Sequence, residues 1–421
     1  MSTPDRTPPD PWWDLALDPA DRATPEAARR RDASGAPRVN VPDADGRQGL
    51  DYGAYLGLDE VLGAGEPATT VPDERAFLAV HQLCEVVFRL MLVDLGVVAG
   101  TFGRLLGAGA AAFEARVAEP VPDERGPSAF WRPALTAAGR LRHSARRVLP
   151  AVMPYVGRSD NDDVLFSSVE FALFRDALAP SSGFQTAQLR LIQRALGKGP
   201  LLDLPVFPGG TYGEHYAGCP VGHVALGDPL VLRGGHARAY PTAGTPQEAV
   251  AALDIMAHRL LARLAPHASE AVPGVRPLAA YDVDRAAARF RQTLGGGDSE
   301  AADRFERALG AVAERENARR EGLGDARRGA AALHGPLAGT CLAFVLDRVV
   351  QTDLALHAPD ADSFLTVHRR AVRRHVSGDA GTGGGGTPYL VTSQRFLLPL
   401  FPALVAYGDL GLGGSDDPER W

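Results

Sequence analysis

The stretch FLAVHQLCEVVFRLMLVDLGVVAGTFGRLL (residues 77–106) decides the fold class. Phe77, His81 and Phe88 recur in it at helical spacing, and apolar residues fill one face of the repeat. The acidic pair Asp73–Glu74 stands just before it, where the positive end of a helix dipole favours negative charge. The pattern predicts a long, largely buried α-helix that begins near residue 73.

Length and composition narrow the class of protein. The chain has 421 residues, 45% of them hydrophobic, which is enough for a large core. A net charge of −7 argues against a general nucleic-acid surface. The three cysteines are far apart and contain no CxxC, which argues against a disulfide framework and a cysteine-built zinc site. No apolar stretch has the length of a signal peptide or membrane span, so we expect a cytoplasmic protein.

The chain divides into four segments by composition. Residues 1–48 are rich in Pro, Asp, Arg and Ala and read as an irregular extension. Residues 49–200 form the first part of a helical domain, and residues 336–421 form the second part. Residues 201–335 lie between them, and their first 45 positions are dense in Gly and Pro, which predicts a loop-rich insertion followed by additional helices.

Helical patterns dominate the remaining sequence. They cover about 133–153, 164–178 and 184–196, then 245–264, 299–319, 336–356 and 361–377. No sustained strand alternation and no internal repeat occurs. The fold class is therefore predicted to be all-α, as a helical bundle.

Near the end of the chain, FLTVHRRAVRRHVSGDAGTGGGGTPYL (residues 364–390) carries two histidines into a glycine tract. His368 falls on the apolar stripe of its helix, so it is either a core histidine or an axial haem ligand, which requires the same apolar setting. The tract at 381–386 has no following Lys-Ser/Thr, which argues against a nucleotide P-loop. A flexible linker and a turn that approaches a ligand closely both remain open.

Three separated stretches together resemble tryptophan 2,3-dioxygenases, a family of haem enzymes. The first is YGAYLGLD (52–59) followed by DERAFLAVHQLCEVVF (73–88), similar to the family's YGxYLxLD and DExxFxxxHQxxELxF. The second is FRDALAPSSGFQTAQLR (174–190), similar to FRxxLxPASGFQSxQxR. The third is the histidine–glycine stretch, similar to RHxxMVxRxxGxKxGTGGSSGxxYL. All three occur in the family's order.

The resemblance implies a role for each matching residue. His368 is expected to be the axial ligand of haem b, and His81 the distal histidine that meets the indole N–H. Phe77 is expected to line the pocket, and Arg175 to clamp the substrate carboxylate. Thr382 is expected to contact the ammonium and carboxylate groups. The resemblance places Ser182 and Gly183 at the haem edge. It also implies a homotetramer, in which a neighbouring subunit closes the pocket with Tyr52, Tyr55 and Leu56.

The implied reaction uses dioxygen to open the indole C2–C3 bond of L-tryptophan, or of a substituted tryptophan, to an N-formylkynurenine. Two other readings stay open. One is a haem-dependent monooxygenase or peroxygenase that hydroxylates tryptophan, tyrosine or a derivative. The other is a haem-binding sensor without turnover. The family's GTGGSSG reads GTGGGGT here, which marks a divergent sequence.

Two further histidine patterns are weaker candidates. His215, Cys219 and His223 have the spacing HxxxCxxxH, which metal ligands can adopt, although an ordinary loop-rich cap is the simpler interpretation. His375 lies seven residues after His368 and is a rival iron ligand. The spacing to the glycine tract favours His368.

Overall fold

The structure is a computed structural model, and it describes only part of the chain. The described residues are 40–42, 48–50, 65–121, 129–152, 171, 173–174, 187–196, 253–269, 284, 288, 303, 306–307, 310, 314, 317–318, 321–357, 363–365 and 367–368. Helix predominates throughout these ranges, which confirms the all-α prediction. The chain separates into two compact units, Met1–Thr70 and Val71–Trp421.

The first unit contains a pair of short strands, and its residues 65–70, which are also described, are irregular. Strand β1 (Asn40–Pro42) pairs antiparallel with β2 (Gln48–Leu50), and Asn40 lies opposite Leu50. The sequence patterns had predicted an irregular extension up to residue 48, and this boundary falls within β2. The four-segment division of the chain otherwise stays a prediction.

The described part of the second unit is built mainly from helices. In chain order they are α1 (Pro72–Gly107), α2 (Ala110–Val117), α3 (Arg132–His143), a π-helical turn (Ser144–Val148), α4 (Leu149–Val152), α5 (Ala187–Ala195), α6 (Leu253–Leu264), a 3₁₀ turn (Ala265–His267), α7 (Gly324–His334) and α8 (Cys341–His357).

Helix α1 is the 36-residue centre of this unit and confirms the first sequence prediction. Pro72 opens it at a position where the missing N–H costs nothing, and Asp73 and Glu74 occupy its first turn. It packs against α3, α5 and α6. Its second half is buried on nearly all sides, and Met91, Leu95 and Phe102 in it are fully buried. Among the described residues, no helix is both long and apolar enough to cross a membrane.

An ion pair fastens α3 to this central helix. Arg140 of α3 donates through Nε to both carboxylate oxygens of Asp94, at 3.1 and 3.2 Å, and its Nη2 also contacts the carboxylate. Asp94 is buried, and burial raises the pKa of its carboxyl group, although the guanidinium opposes that shift. The pairing therefore holds a buried charge that would be costly alone.

Helices α6 and α7 cross at very short range. Gly329 of α7 lies so near the backbone of Leu261 that a Cβ placed on it would stand 1.7 Å from the Leu261 carbonyl oxygen. Both helices come from the segment predicted to follow the loop-rich insertion, and α6 also packs on α1. These helices thus contribute to the same core as α1. The predicted loops at 201–245 lie outside the described residues.

Candidate functional site

An aromatic cluster covers the first turns of α1. The ring centroids of Phe77 and His81 are 4.0 Å apart. The ring of Phe171 lies 5.8 Å from that of Phe77, and the ring of Phe174 lies 5.5 Å from it, edge-on. Phe171 and Phe174 are buried, and Val71 and Phe77 pack against them. His81 therefore has an apolar wall on one side while part of its own surface remains accessible.

A hydrogen bond within α1 fixes the tautomer of His81. Its Nδ1 lies 2.7 Å from the backbone oxygen of Phe77. A carbonyl oxygen can only accept, so Nδ1 must carry the proton. Burial lowers the pKa of His81 below its usual 6.5, and the bond to Phe77 opposes this only in part. At neutral pH the ring is therefore uncharged, and Nε2 is left as a hydrogen-bond acceptor.

A second histidine approaches α1 from the late helical stretch that includes residues 364–365 and 367–368. The ring of Phe88 meets that of Phe364 edge-on at 5.6 Å, and Phe364 stacks with the His368 ring at 6.0 Å. Phe364 and Leu365 are buried, whereas His368 is half-buried. The apolar stripe predicted around His368 is thus present, with one part of the imidazole accessible.

The two histidines influence each other electrostatically. Burial is the main reason that the pKa of His368 falls to about 4, and the nearby His81 lowers it further. Such repulsion requires the two imidazoles to be close, because charge interactions weaken with distance. The structure therefore brings together residues 81 and 368, which are far apart in the sequence. Both are neutral at pH 7, as a metal ligand or a hydrogen-bond acceptor must be.

Helix α5 is held to the site from both of its ends. Gln188 donates through Nε2 to the backbone oxygen and to the carboxylate of Glu85, each at 2.8 Å, one turn beyond His81 on α1. Gln193 lies 3.2 Å from Nε2 of His357 on α8, and Nδ1 of that buried histidine lies 2.7 Å from Asp353. The described residues on both sides of 175–186 thus pack against the part of α1 that carries Phe77 and His81.

The chemistry of these side chains suits a flat aromatic cofactor with a metal centre. His368 offers a neutral nitrogen in apolar surroundings, and Phe88 and Phe364 provide aromatic surface beside it. Within the described ranges, three or more His, Cys, Asp or Glu side chains do not gather into a metal-binding group. A single histidine ligand would need the remaining positions around the metal to come from the cofactor itself.

The structure describes three of the ten site residues predicted from the sequence. Phe77, His81 and His368 lie in the arrangement given above. The other seven lie outside the described residues, as do His375 and the HxxxCxxxH motif. They are Tyr52, Tyr55, Leu56, Arg175, Ser182, Gly183 and Thr382.

Two parts of the site were missed by sequence reasoning. Phe171 and Phe174 stand three residues apart in a predicted helix, and this spacing could have indicated an aromatic face. The bond from Gln188 to Glu85 has no sequence signal of its own, because it depends on how α5 docks against α1.

Comparison with known proteins identifies relatives over part of the chain. No family model matches. The tryptophan 2,3-dioxygenase of Polaromonas naphthalenivorans is 34% identical over 162 residues, which are 38% of this chain and 45% of that protein. The enzyme of the same name from Anaeromyxobacter sp. is 27% identical over 182 residues, 43% of this chain and 57% of that protein. A third, from Sorangium cellulosum, is 29% identical over 191 residues, 44% of this chain and 38% of that protein. The chain thus matches about half the length of these curated relatives.

Proposed function

We propose that the chain is a divergent member of the tryptophan 2,3-dioxygenase family and a haem-dependent oxygenase of an aromatic amino acid, which its similarity to those enzymes over part of their length supports. Its substrate is L-tryptophan or a substituted tryptophan, and its product is the corresponding N-formylkynurenine. The observation that carries the proposal is the pair of neutral, electrostatically coupled imidazoles, His81 and His368, each in contact with a phenylalanine ring.

His368 would hold the haem b through an imidazole nitrogen, with Ser182 and Gly183 at the edge of the cofactor. The neutral state of this ring at pH 7 leaves its lone pair free to bind iron. When bound, the haem supplies the activation of dioxygen, which no protein side chain provides.

His81 would orient the substrate ring. Its Nδ1–H is held by the Phe77 carbonyl, so Nε2 can accept the indole N–H. The rings of Phe77, Phe171 and Phe174 would keep water away from one side of the substrate, which strengthens the polar contacts that remain.

Arg175 and Thr382 would grip the amino-acid end of the substrate. A guanidinium matches a carboxylate with two parallel hydrogen bonds and so orients it as well as attracting it. Arg175 directly follows the buried Phe174, whose ring packs on Phe77, and this proximity in sequence supports its role in the same pocket. We also propose a cytoplasmic homotetramer in which Tyr52, Tyr55 and Leu56 of a neighbouring subunit close the pocket.

The test is a turnover experiment on the haem-loaded protein. It is reduced without oxygen, then given dioxygen together with a panel of aromatic amino acids, and the products are weighed by mass spectrometry. A product that retains both oxygen atoms with an opened indole ring is expected. Retention of one oxygen atom would identify a hydroxylase instead, and haem binding without consumption of any amino acid would identify a sensor.

Two variants separate the proposed roles. His368→Ala is expected to lose stable haem retention, whereas His375→Ala keeps it; the reverse pattern would assign the iron to His375. Arg175→Leu is expected to weaken substrate binding by about 2–5 kcal/mol, the usual cost of leaving one partner of a buried charge pair unmatched. The exposed Arg259 of α6 provides the matched control, because Arg259→Leu should leave affinity unchanged.

A further inference from the structure

Four arginines gather where the π-helical turn meets α8. Arg142 lies in the last turn of α3, Arg146 and Arg147 belong to the π-helical turn, and Arg348 lies in the middle of α8. Helix α8 packs against both α3 and the turn. We name these four residues the arginine cluster. The whole chain has a formal net charge of −7, so the positive charge of the arginine cluster is a local feature and does not reflect a basic protein.

The charges in the arginine cluster repel one another. The pKa of Arg142 is lowered, first by burial and then by the positive charges of Arg348 and Arg146, with a smaller effect from Arg147. Among the described residues, Asp347 is the acidic group that opposes this shift. Four cations and one carboxylate leave an excess charge of about three, which solvent screens in part and a bound anion would offset further.

None of the four arginines has an ion pair within the described part of the chain. Arg348 instead contacts an aromatic ring, because its guanidinium lies 4.6 Å from the centre of the Phe344 ring. The Nε of Arg142 is buried and has no hydrogen-bond partner among the residues that the structure describes. A buried N–H without a partner costs free energy, which a bound acceptor would recover. This contrasts with Arg140 in the same helix, which is fully engaged by Asp94.

The local backbone is also irregular at this place. The turn Ser144–Val148 is π-helical, and the Leu149 N–H bonds to the Ser144 oxygen, five residues back. Such π turns are rare and occur frequently at functional sites, because they alter which side chains share a helix face. Here the irregular turn contains two of the four arginines.

We propose that the arginine cluster is a binding site for a phosphate-bearing small molecule. Guanidinium groups bind phosphate through paired, charge-assisted hydrogen bonds, and a doubly charged group would neutralise most of the excess charge. The partly buried Arg142 favours a compact group over an extended polymer, and the overall negative charge of the chain disfavours nucleic acid. This proposal does not depend on the reaction proposed for His81 and His368.

The probe is inorganic pyrophosphate, titrated into the full-length, haem-loaded protein by calorimetry at low and moderate salt. The test variant replaces the two exposed members, Arg146→Gln together with Arg147→Gln, because exposed positions tolerate this change. Affinity is expected to fall at least about tenfold, since each lost hydrogen bond to a charged group is worth about that factor. The exposed Arg259→Gln, outside the arginine cluster, is expected to bind as the parent does.

Three outcomes would overturn the proposal. The first is equal binding by the parent and both variants, which would mean non-specific attraction. The second is no binding of pyrophosphate at low salt, with the assembly of the Arg146/Arg147 variant unchanged in analytical ultracentrifugation. The third is no binding of pyrophosphate together with a smaller assembly for that variant. That result would assign the arginine cluster to an acidic surface of a second copy of the chain.

Discussion

The crossing of α6 and α7 makes Gly329 the most sensitive small residue in the described core. In Gly329→Ala the new methyl group would stand 1.7 Å from the Leu261 carbonyl oxygen, 2.5 Å from its carbon and 3.0 Å from its Cα, where ordinary contact begins near 3.4 Å. All three atoms belong to the backbone, so no side-chain rotation relieves the overlap. The two helices would have to separate by more than a further ångström.

The loss of unfolding free energy depends on the packing between α6 and α7 that this separation would disrupt. The facing residues are buried, and they are Leu260, Leu261, Leu264, Ala326, Ala330 and Leu333. A gap of about 0.5–1 Å already forfeits a quarter to a half of the dispersion attraction between packed groups. Overpacking of a core commonly costs about 1–3 kcal/mol, and a clash with rigid backbone belongs at or above the upper end. We expect Gly329→Ala to lose about 3 kcal/mol or more of unfolding free energy.

The matched control is Gly139→Ala, in the helical interior of α3. A Cβ at Gly139 would meet nothing within 4 Å. The substitution should therefore stabilise the protein by up to about 1 kcal/mol, the difference in helix propensity between the two residues. Urea unfolding followed by helical circular dichroism measures both, and the order of the midpoints suffices even if unfolding is not two-state. If Gly329→Ala unfolds at or above the parent's midpoint, the helix crossing described here is incorrect.

Two other predictions concern titratable groups. Burial raises the pKa of Cys84 to about 12 and that of Cys341 to about 11, so iodoacetamide at pH 8 should leave both thiols of the native protein unlabelled. Rapid native labelling of either one, located by peptide mass, would contradict their burial. The pKa of His368 is about 4 in the folded protein and near 6.5 in the unfolded chain, so the unfolded chain takes up this proton first as the pH falls. The free energy of unfolding of the haem-free protein should therefore decrease from about pH 6.5 down to about pH 4. The lowered pKa of His81 acts in the same direction. Urea midpoints across this range should fall less steeply for His368→Leu, and an identical slope would refute the assignment.

The sequence predicted the helical elements better than their interruptions. The apolar period from Phe77 to Phe88 was sufficient to find α1, because burial of one helical face determines that pattern. The helix predicted over 336–356 begins instead at Cys341, after a turn in which Gly339 has a φ of +79°. The helix predicted over 133–153 is present in its described residues, but it contains the π turn at Ser144–Val148. Such a shift of hydrogen-bond register depends on tertiary packing, which a single sequence does not display.

The sequence likewise predicted the individual residues of the candidate site better than their arrangement. Helical spacing placed His81 and His368 on apolar faces, yet the spacing alone also suited two ordinary core histidines. Only the resemblance suggested that they share a pocket, and the structure brings them close enough for one to lower the pKa of the other. The edge-on pair of Phe88 and Phe364 could not be predicted from either segment, because each ring is an unremarkable apolar position in its own helix.

The Nδ1–H of His81 donates to the backbone carbonyl of Phe77, so the imidazole can offer a ligand only the acceptor nitrogen Nε2. An analogue of indole that carries oxygen or sulfur in place of the ring N–H has no hydrogen to donate. The lone pair of that atom would face the lone pair of His81 Nε2, and the two would repel each other. Turning the imidazole over gives no escape, since the Phe77 carbonyl would then face an unprotonated nitrogen or a C–H. Benzofuran and benzothiophene counterparts of tryptophan differ from it by this one ring atom and have nearly the same shape, and they should nevertheless bind more weakly.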